Sequence, residues 1–370
     1  MIIGFDAKRA FHNASGLGNY SRFVVRILAQ HHPEHQYVLF NPKSSNLWSP
    51  PEGEHISEVN PKNGILASYW RTFGGASKAK KHGLDIYHGL SNELPYGIKK
   101  SAVGKVVTIH DLIFLRLPDL YKPADRIIYT KKFKHAAQTA DKIVAISETT
   151  KADIIDYLDV EADKIEVVYQ GCDPIFNTKV DRSFQNSVLK KYKLPEQFMV
   201  CVGTIEKRKN ALQILQAMEA MKVNCPLIVI GKSTKYVGEL MNYIHNNPDL
   251  KSKIYFLHNI NNQELKAVYQ MATLSVYPSV FEGFGIPVLE SIACGTPVVT
   301  TQDGCFVEAG GDGALYVDSN NIEELGGAIK SVIDSSEIQS RLKESGAKHL
   351  LQFKETKLAT DLMNVYKSIK

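Results

Sequence analysis

The sequence predicts an α/β protein built from two Rossmann-like, doubly wound domains. Short apolar runs alternate with stretches of helical spacing along the whole chain, the pattern of parallel strands covered by helices on both faces. Several of these runs end in glycine or a polar residue, as at Val202-Gly203 and Ile230-Gly231, where a ligand can approach the carboxyl end of a strand. At 370 residues the chain is also too long for one ordinary core.

In the first half, Ile2–Phe5, Tyr37–Phe40, Leu84–His88, Lys105–His110, Lys142–Ser147 and Ile165–Tyr169 read as strands. Tyr20–Gln30 has apolar residues at helical spacing, and Glu148–Leu158 is a helix with Ser147 as its N-cap. A polar stretch from Asn177 to Asn186 reads as the linker, giving domains at 1–177 and 178–352. In the second half, Phe198–Val202, Leu227–Ile230, Ile254–Leu257, Leu274–Tyr277, Pro297–Thr300 and Ala314–Val317 are strands. Helices fit Ala211–Met221, Gln263–Met271, Glu323–Asp334 and a last one from about Lys354 to Ile369. Two such sheets facing each other would hold ligands in the cleft between the domains.

With 44% hydrophobic and 22% charged residues, the composition is that of a soluble globular protein. No apolar run approaches the roughly 18 residues needed to cross a bilayer. The opening Met1-Ile-Ile-Gly-Phe-Asp6 lacks a basic leader and reads as a buried strand. Five scattered cysteines, none paired at metal-ligand spacing, suit a reduced, cytoplasmic setting. The net charge of +5 is mild, but Lys78, Lys80, Lys81, Arg126, Lys131, Lys132 and Lys134 gather in the first half. That face could meet anionic lipid or a phosphorylated acceptor, or be a solvated helix face. No basic-aromatic pattern points to nucleic acid.

The most informative stretch runs from Ser279 to Val298. It sets Glu282 and Glu290 around a glycine-bearing loop, Gly283-Phe284-Gly285-Ile286, that enters a short helix. Pro287 suits the first helical position, and Gly295 the left-handed residue beyond the end. A helix N-terminus favours an anion, and carboxylates accept hydrogen bonds from sugar hydroxyls. A nucleotide-sugar site fits this layout; so does a helix entry with two solvated acids. Gly203-Thr-Ile-Glu-Lys-Arg-Lys-Asn210 follows a strand with three cations, a charge run that could hold a diphosphate. Asn13-Ala-Ser-Gly16-Leu-Gly18 lies too far from its strand and lacks a third glycine for a dinucleotide fingerprint, which disfavours NAD. His110 closes a strand, a place where a lone histidine is usually structural. No Asp-x-Asp occurs, so the metal clamp of the other major transferase fold is missing.

The run from Pro278-Ser279 through Glu282, Gly283-Phe-Gly-Ile-Pro287 and Glu290 to Cys294-Gly-Thr-Pro-Val-Val299 resembles the E-x7-E signature of retaining glycosyltransferases of family 4, which have the two-Rossmann-domain GT-B fold. The resemblance implies a retaining, metal-independent hexosyltransferase without a cofactor, using a nucleotide-diphosphate sugar. It implies that Glu282 and His110 meet the donor sugar, that Arg208 and Lys209 serve its phosphates, that Gly16 and Gly18 close over those phosphates or over the acceptor, and that Gly283, Phe284, Gly285 and Ile286 cradle sugar and phosphate. Glu290 would bind the ribose, and His258 and Ile260 would lie by the base. Thr204 and His258 depart from the family's common Arg and Gly. The Gly-Thr…Arg-Lys-Asn and His-Asp-Leu elements resemble mannosyl-type members, favouring GDP-mannose over UDP-sugars. The expected acceptor is a saccharide or lipid-linked glycan in surface polysaccharide or glycolipid assembly, met in the cytoplasm or at the inner membrane face. The last segment, 353–370, would cross back onto the first domain. Other readings are a nucleotide-sugar epimerase or phosphorylase of the same fold, or a non-catalytic binding subunit.

Overall fold

The structure, a computed structural model, describes residues 1–61 and 66–369. Lys370, the end of the expected terminal segment, lies outside them. The chain forms two compact units, one of residues 1–171 with 353–370 and one of residues 172–352.

The first unit holds a parallel sheet of β1 (Ile2–Asp6), β2 (Gln36–Phe40), β3 (Ile56–Val59), β4 (Ile86–Gly89), β5 (Gly104–Ile109), β6 (Lys142–Ala145) and β7 (Ile165–Val167). Their order is β3-β2-β1-β4-β5-β6-β7, with Gly4 between Val38 and Tyr87. The second unit repeats the plan with β8 (Met199–Val202), β9 (Leu227–Ile230), β10 (Ile254–Leu257), β11 (Leu274–Tyr277), β12 (Val298–Thr301) and β13 (Ala314–Val317), in the order β10-β9-β8-β11-β12-β13. Each sheet reverses direction beside its first strand, between β1 and β4 and between β8 and β11. Open α/β sheets bind ligands outside the carboxyl ends at such a switch point.

Both faces of the second sheet are buried. Met199, Leu227, Val229 and Leu274 point to one core, and Phe198, Val200, Ile228 and Ile230 to the other. This explains why these strands read as continuous apolar runs. Each large side chain buried there contributes about 1.5–3 kcal/mol. β3 escaped the sequence reading because Ile56-Ser-Glu-Val59 is a short edge strand with exposed polar residues.

The expected linker is not a linker. Asp181 caps a helix, Arg182–Tyr192, by accepting from the Phe184 N–H, and Val188 is buried beneath it. Residues 172–177 also belong to the second unit. Phe176 is buried against Tyr269 with ring centroids 6.0 Å apart. The polar composition of 177–186 is that of an N-cap and a half-exposed helix face.

The terminal helix, Glu355–Lys367, packs on helix Gly16–His31 of the first unit. Leu358, Leu362, Met363 and Tyr366 are its buried stripe, and Arg26 grips Glu355 in a two-pronged ion pair at 2.8 and 2.5 Å. Ser147 caps helix Glu148–Leu158 as expected, accepting from Thr150 N–H at 3.0 Å.

Candidate functional site

In the second unit three of the residues singled out in the sequence, Arg208, Lys209 and Glu282, come together at the switch point. The loop after β8 carries Arg208 and Lys209 in a short 3-10 turn, Lys207–Lys209, and the loop after β11 carries Glu282. Because β8 and β11 are paired neighbours, the loops are stitched together: Val280 N–H donates to the Arg208 carbonyl at 2.9 Å, and the Ser279 hydroxyl oxygen lies 3.1 Å from the same carbonyl. Arg208 reaches Glu282 Oε1 at 2.6 Å, Ser279 donates to the same oxygen at 2.8 Å and Tyr277 at 3.1 Å. Lys209 Nζ contacts both that oxygen and the Tyr277 hydroxyl. Arg208 also pairs with Glu206 at 2.6 Å. Burial alone would raise the Glu282 carboxyl. Lys209 and Arg208 outweigh it and hold the group at about 2, so it is ionised at neutral pH. Lys207 and Thr204 are exposed and stay outside this cluster.

Gly285, with φ of 97°, precedes helix Ile286–Ala293. A Cβ there would sit 3.2 Å from the Phe306 ring, so both backbone and space call for glycine. Gly295 is left-handed past the helix end, as expected, while the helix starts one residue earlier than Pro287. The amino end of this helix presents its dipole to the loop that carries Glu282. Glu290, within the helix, has different surroundings. Burial pushes its carboxyl up to about 8, against a hydrogen bond from Tyr269 at 3.2 Å, and Asp173 adds to the rise. The two acids of the motif therefore carry different charge at neutral pH: Glu282 is anionic and Glu290 largely protonated.

His258 follows β10 and is exposed, and its Nδ1 lies 2.7 Å from the Gly231 carbonyl, a bond it can only donate. Its Nε2 lies 3.3 Å from the Ser233 hydroxyl. Ile260 packs partly buried against the core that holds Phe198 and Ile228.

In the first unit, His110 follows β5 and is buried. Its Nε2 donates to the Leu90 carbonyl at 2.9 Å, its N–H donates to Asn92 Oδ1 at 2.8 Å, and its ring meets Tyr20 edge-on at 4.5 Å. Burial lowers its pKa to about 4, so it is neutral and its Nδ1 is an acceptor. Tyr20 lies on the helix that begins at Gly16. Gly18 lies in its first turn, where a Cβ would come within 1.8 Å of the Asn13 carbonyl oxygen; Gly16 has open space and no such requirement. Asp111 accepts from the Ile113 N–H at 3.2 Å and orders the loop. His88 does not line a surface. It is fully buried, with Tyr366 on Nδ1 at 2.7 Å and Thr108 on Nε2 at 2.9 Å, and ties the terminal helix to the sheet.

The residues that sequence reasoning missed are Tyr277, Ser279 and Tyr269. Tyr277 and Tyr269 read as strand and helix core residues, and they are buried. Only the fold turns their hydroxyls onto Glu282 and Glu290. Among the described residues, no group of three or more His, Cys, Asp and Glu side chains is placed to hold a metal ion.

Residues 15–176 match the family model described as Glycosyltransferase Family 4, and residues 185–349 match that of Glycosyl transferases group 1. O-antigen chain mannosyltransferase B of Escherichia coli is 29% identical over 389 residues, covering 99% of this chain and 100% of the relative. O-antigen chain mannosyltransferase RfbU of Salmonella typhimurium is 28% identical over 245 residues, 66% of this chain and 65% of the relative. Among solved structures, Anabaena HepE in complex with UDP superposes with a TM-score of 0.75 at 15% identity, covering 99% of each chain. A glycosyltransferase from Rickettsia africae gives 0.74 at 16% identity, covering 100% of this chain and 98% of that one. These structures share the two-Rossmann-domain fold.

Proposed function

We propose that this chain, a hexosyltransferase of the glycosyltransferase family-4 type, transfers mannose from GDP-mannose, in preference to a UDP-linked sugar. The acceptor is a saccharide or lipid-linked glycan in cell-surface polysaccharide assembly, and the reaction retains the anomeric configuration without a metal. The observation that carries this reading is the convergence of Arg208 and Lys209 on buried, ionised Glu282 at the switch point of the second sheet. The O-antigen mannosyltransferase relatives support the mannosyl donor and the pathway class.

Two cations at one strand end, beside a helix amino terminus, suit a departing diphosphate, on which negative charge grows during transfer. Glu282, anionic and anchored by Ser279 and Tyr277, accepts from hydroxyls of the donor hexose. Glu290 reads the ribose. His110, neutral with Nε2 already donating, offers Nδ1 as an acceptor to the transferred sugar. In the step itself the bond from C1 to the phosphate oxygen breaks and a bond from C1 to the acceptor oxygen forms on the same face. The acceptor proton passes to the leaving phosphate oxygen.

The test is incubation with GDP-mannose or UDP-glucose and a hydrophobically tagged α-mannoside, in EDTA, followed by proton NMR. The expected result is GDP release with an α-linked product. Isomerisation of the sugar nucleotide without acceptor would make the chain an epimerase. An inverted product, or turnover that requires added metal, would overturn the mechanism. Nucleotide binding without turnover would mark a binding subunit.

A further inference from the structure

The first unit buries a chain of hydrogen-bonded side chains that the chemistry above does not use. It starts on the terminal helix, where the Tyr366 hydroxyl lies 2.7 Å from His88 Nδ1. His88 Nε2 lies 2.9 Å from the Thr108 hydroxyl, and that hydroxyl lies 3.0 Å from the Tyr20 hydroxyl. All four residues are buried. Burial lowers the pKa of the His88 ring to about 3, and the nearby His110 adds to the fall, so the ring is neutral with one donor and one acceptor nitrogen. One of its two bonds is therefore donated and the other accepted, which fixes the sense of the chain on both sides of it. Stability does not require such an arrangement. Phe5 packs beside His88 with ring centroids 5.9 Å apart, and apolar side chains of similar shape could fill the same space at little cost. What a satisfied polar chain adds is one definite arrangement, because a member that turns away leaves its neighbours unpaired.

That arrangement ends at His110. Tyr20 lies over both Thr108 and His110: its hydroxyl is on Thr108, and its ring meets the His110 ring edge-on at 4.5 Å. Thr108 also acts through the backbone. Its carbonyl accepts from the Asn92 N–H at 2.8 Å, and Asn92 Oδ1 accepts from the His110 N–H at 2.8 Å. Asn92 takes a left-handed φ of 63° in this loop, a conformation that asparagine tolerates better than most residues. His110 Nε2 donates to the Leu90 carbonyl, so Nδ1 is the one acceptor of the ring. Its orientation depends on the Leu90 carbonyl at one edge and on the Tyr20 ring beside it.

We propose that Tyr20 is a positioning residue for His110, and that the Thr108–His88–Tyr366 chain pins Tyr20, so that the terminal helix sets the aim of His110 Nδ1 at the transferred sugar. This assignment rests on the reading of His110 as a contact of that sugar.

The test is steady-state transfer from GDP-mannose to the tagged α-mannoside, with nitrogen NMR of the labelled histidine rings of the same folded variants, read without substrate. Tyr20→Phe keeps the ring and removes the pin; Tyr366→Phe cuts the chain at its far end. Each should lower kcat about tenfold and leave the donor KM within about twofold, because a misaimed Nδ1 costs more in the transition state than in the bound donor. The His110 ring signals, one bare and one protonated nitrogen in the wild type, should shift or broaden in both variants. Thr108→Ser, which keeps the hydroxyl, should retain kcat, and Thr108→Val should lose it. Glu355→Gln loosens the terminal helix at Arg26 without touching the chain, and should change neither readout. Unchanged kcat and ring signals in Tyr366→Phe, or equal losses in Glu355→Gln, would overturn the proposal. His110→Ala at full turnover would remove the sugar contact on which it rests, and the ring signals distinguish that failure from a chain that does not position the histidine.

Discussion

Glu282→Gln removes one charge and almost no volume from the densest ion cluster of the second unit. In the folded protein the carboxyl is held at about 2 against an ordinary 4.5, a difference worth about 3 kcal/mol at neutral pH. Because the folded value lies below the unfolded one, this stabilisation is complete above about pH 4.5 and is lost as pH falls through about 2. The variant should therefore unfold with about 3 kcal/mol less stability at pH 7, in the range for breaking a buried ion pair. The gap between wild type and variant should close towards pH 2. Arg208 and Lys209 lose their shared anion, so a nucleoside diphosphate, which restores one, should stabilise the variant more than the wild type. Turnover should be lost. Urea unfolding across a pH series, with and without GDP, measures all of this except turnover. A gap below about 1 kcal/mol at pH 7, or one independent of pH, would refute the electrostatic account.

Three further substitutions probe the same site. Lys209→Ala should weaken binding of a nucleoside diphosphate at least tenfold, roughly the loss of one charged contact, and leave the free nucleoside nearly unaffected; equal losses by calorimetry would remove Lys209 from the phosphate. The raised carboxyl of Glu290 predicts that nucleoside affinity climbs with pH and levels off above about 8, because ribose hydroxyls donate to the ionised form; Glu290→Gln should be flat, and a wild-type affinity that falls with rising pH would mean the protonated acid is the binding form. Gly285→Ala should cost about 1–3 kcal/mol, from a φ of 97° and the Phe306 ring 3.2 Å from the new Cβ, and a change within about 0.5 kcal/mol in thermal unfolding would show that the loop yields.

Much of this architecture is legible in the order of the residues. Leu227–Ile230 matches residue for residue because a strand buried on both faces is an unbroken apolar run between polar turns, and Leu274–Tyr277 matches too although the buried Ser275 interrupts its apolar run. The motif around Glu282 was legible because glycine and proline mark a helix entry in one dimension. The failures have physical causes too. Residues 177–186 looked like a linker because an N-cap aspartate and a half-exposed helix share the composition of a loop. Lys78 counted as surface charge, although helix Gly75–Lys81 turns it inward beneath Trp70.

Residue order alone was enough to place Arg208, Lys209 and Glu282 on strand-end loops, since alternation and turn chemistry are local properties. It could not say that β8 and β11 are neighbours, because strand order is decided by pairing between residues some seventy-five positions apart (Leu274 beside Met199). That pairing brings two loops onto one carboxylate oxygen and adds Tyr277 and Ser279 to it. It also could not divide the charges of Glu282 and Glu290, which are the same residue type on one short motif. Glu282 is buried beside two cations and ionises; Glu290 is buried beside a phenol and an aspartate and keeps its proton near neutrality. Ionisation depends on what surrounds a group in three dimensions, and only the folded chain supplies those surroundings.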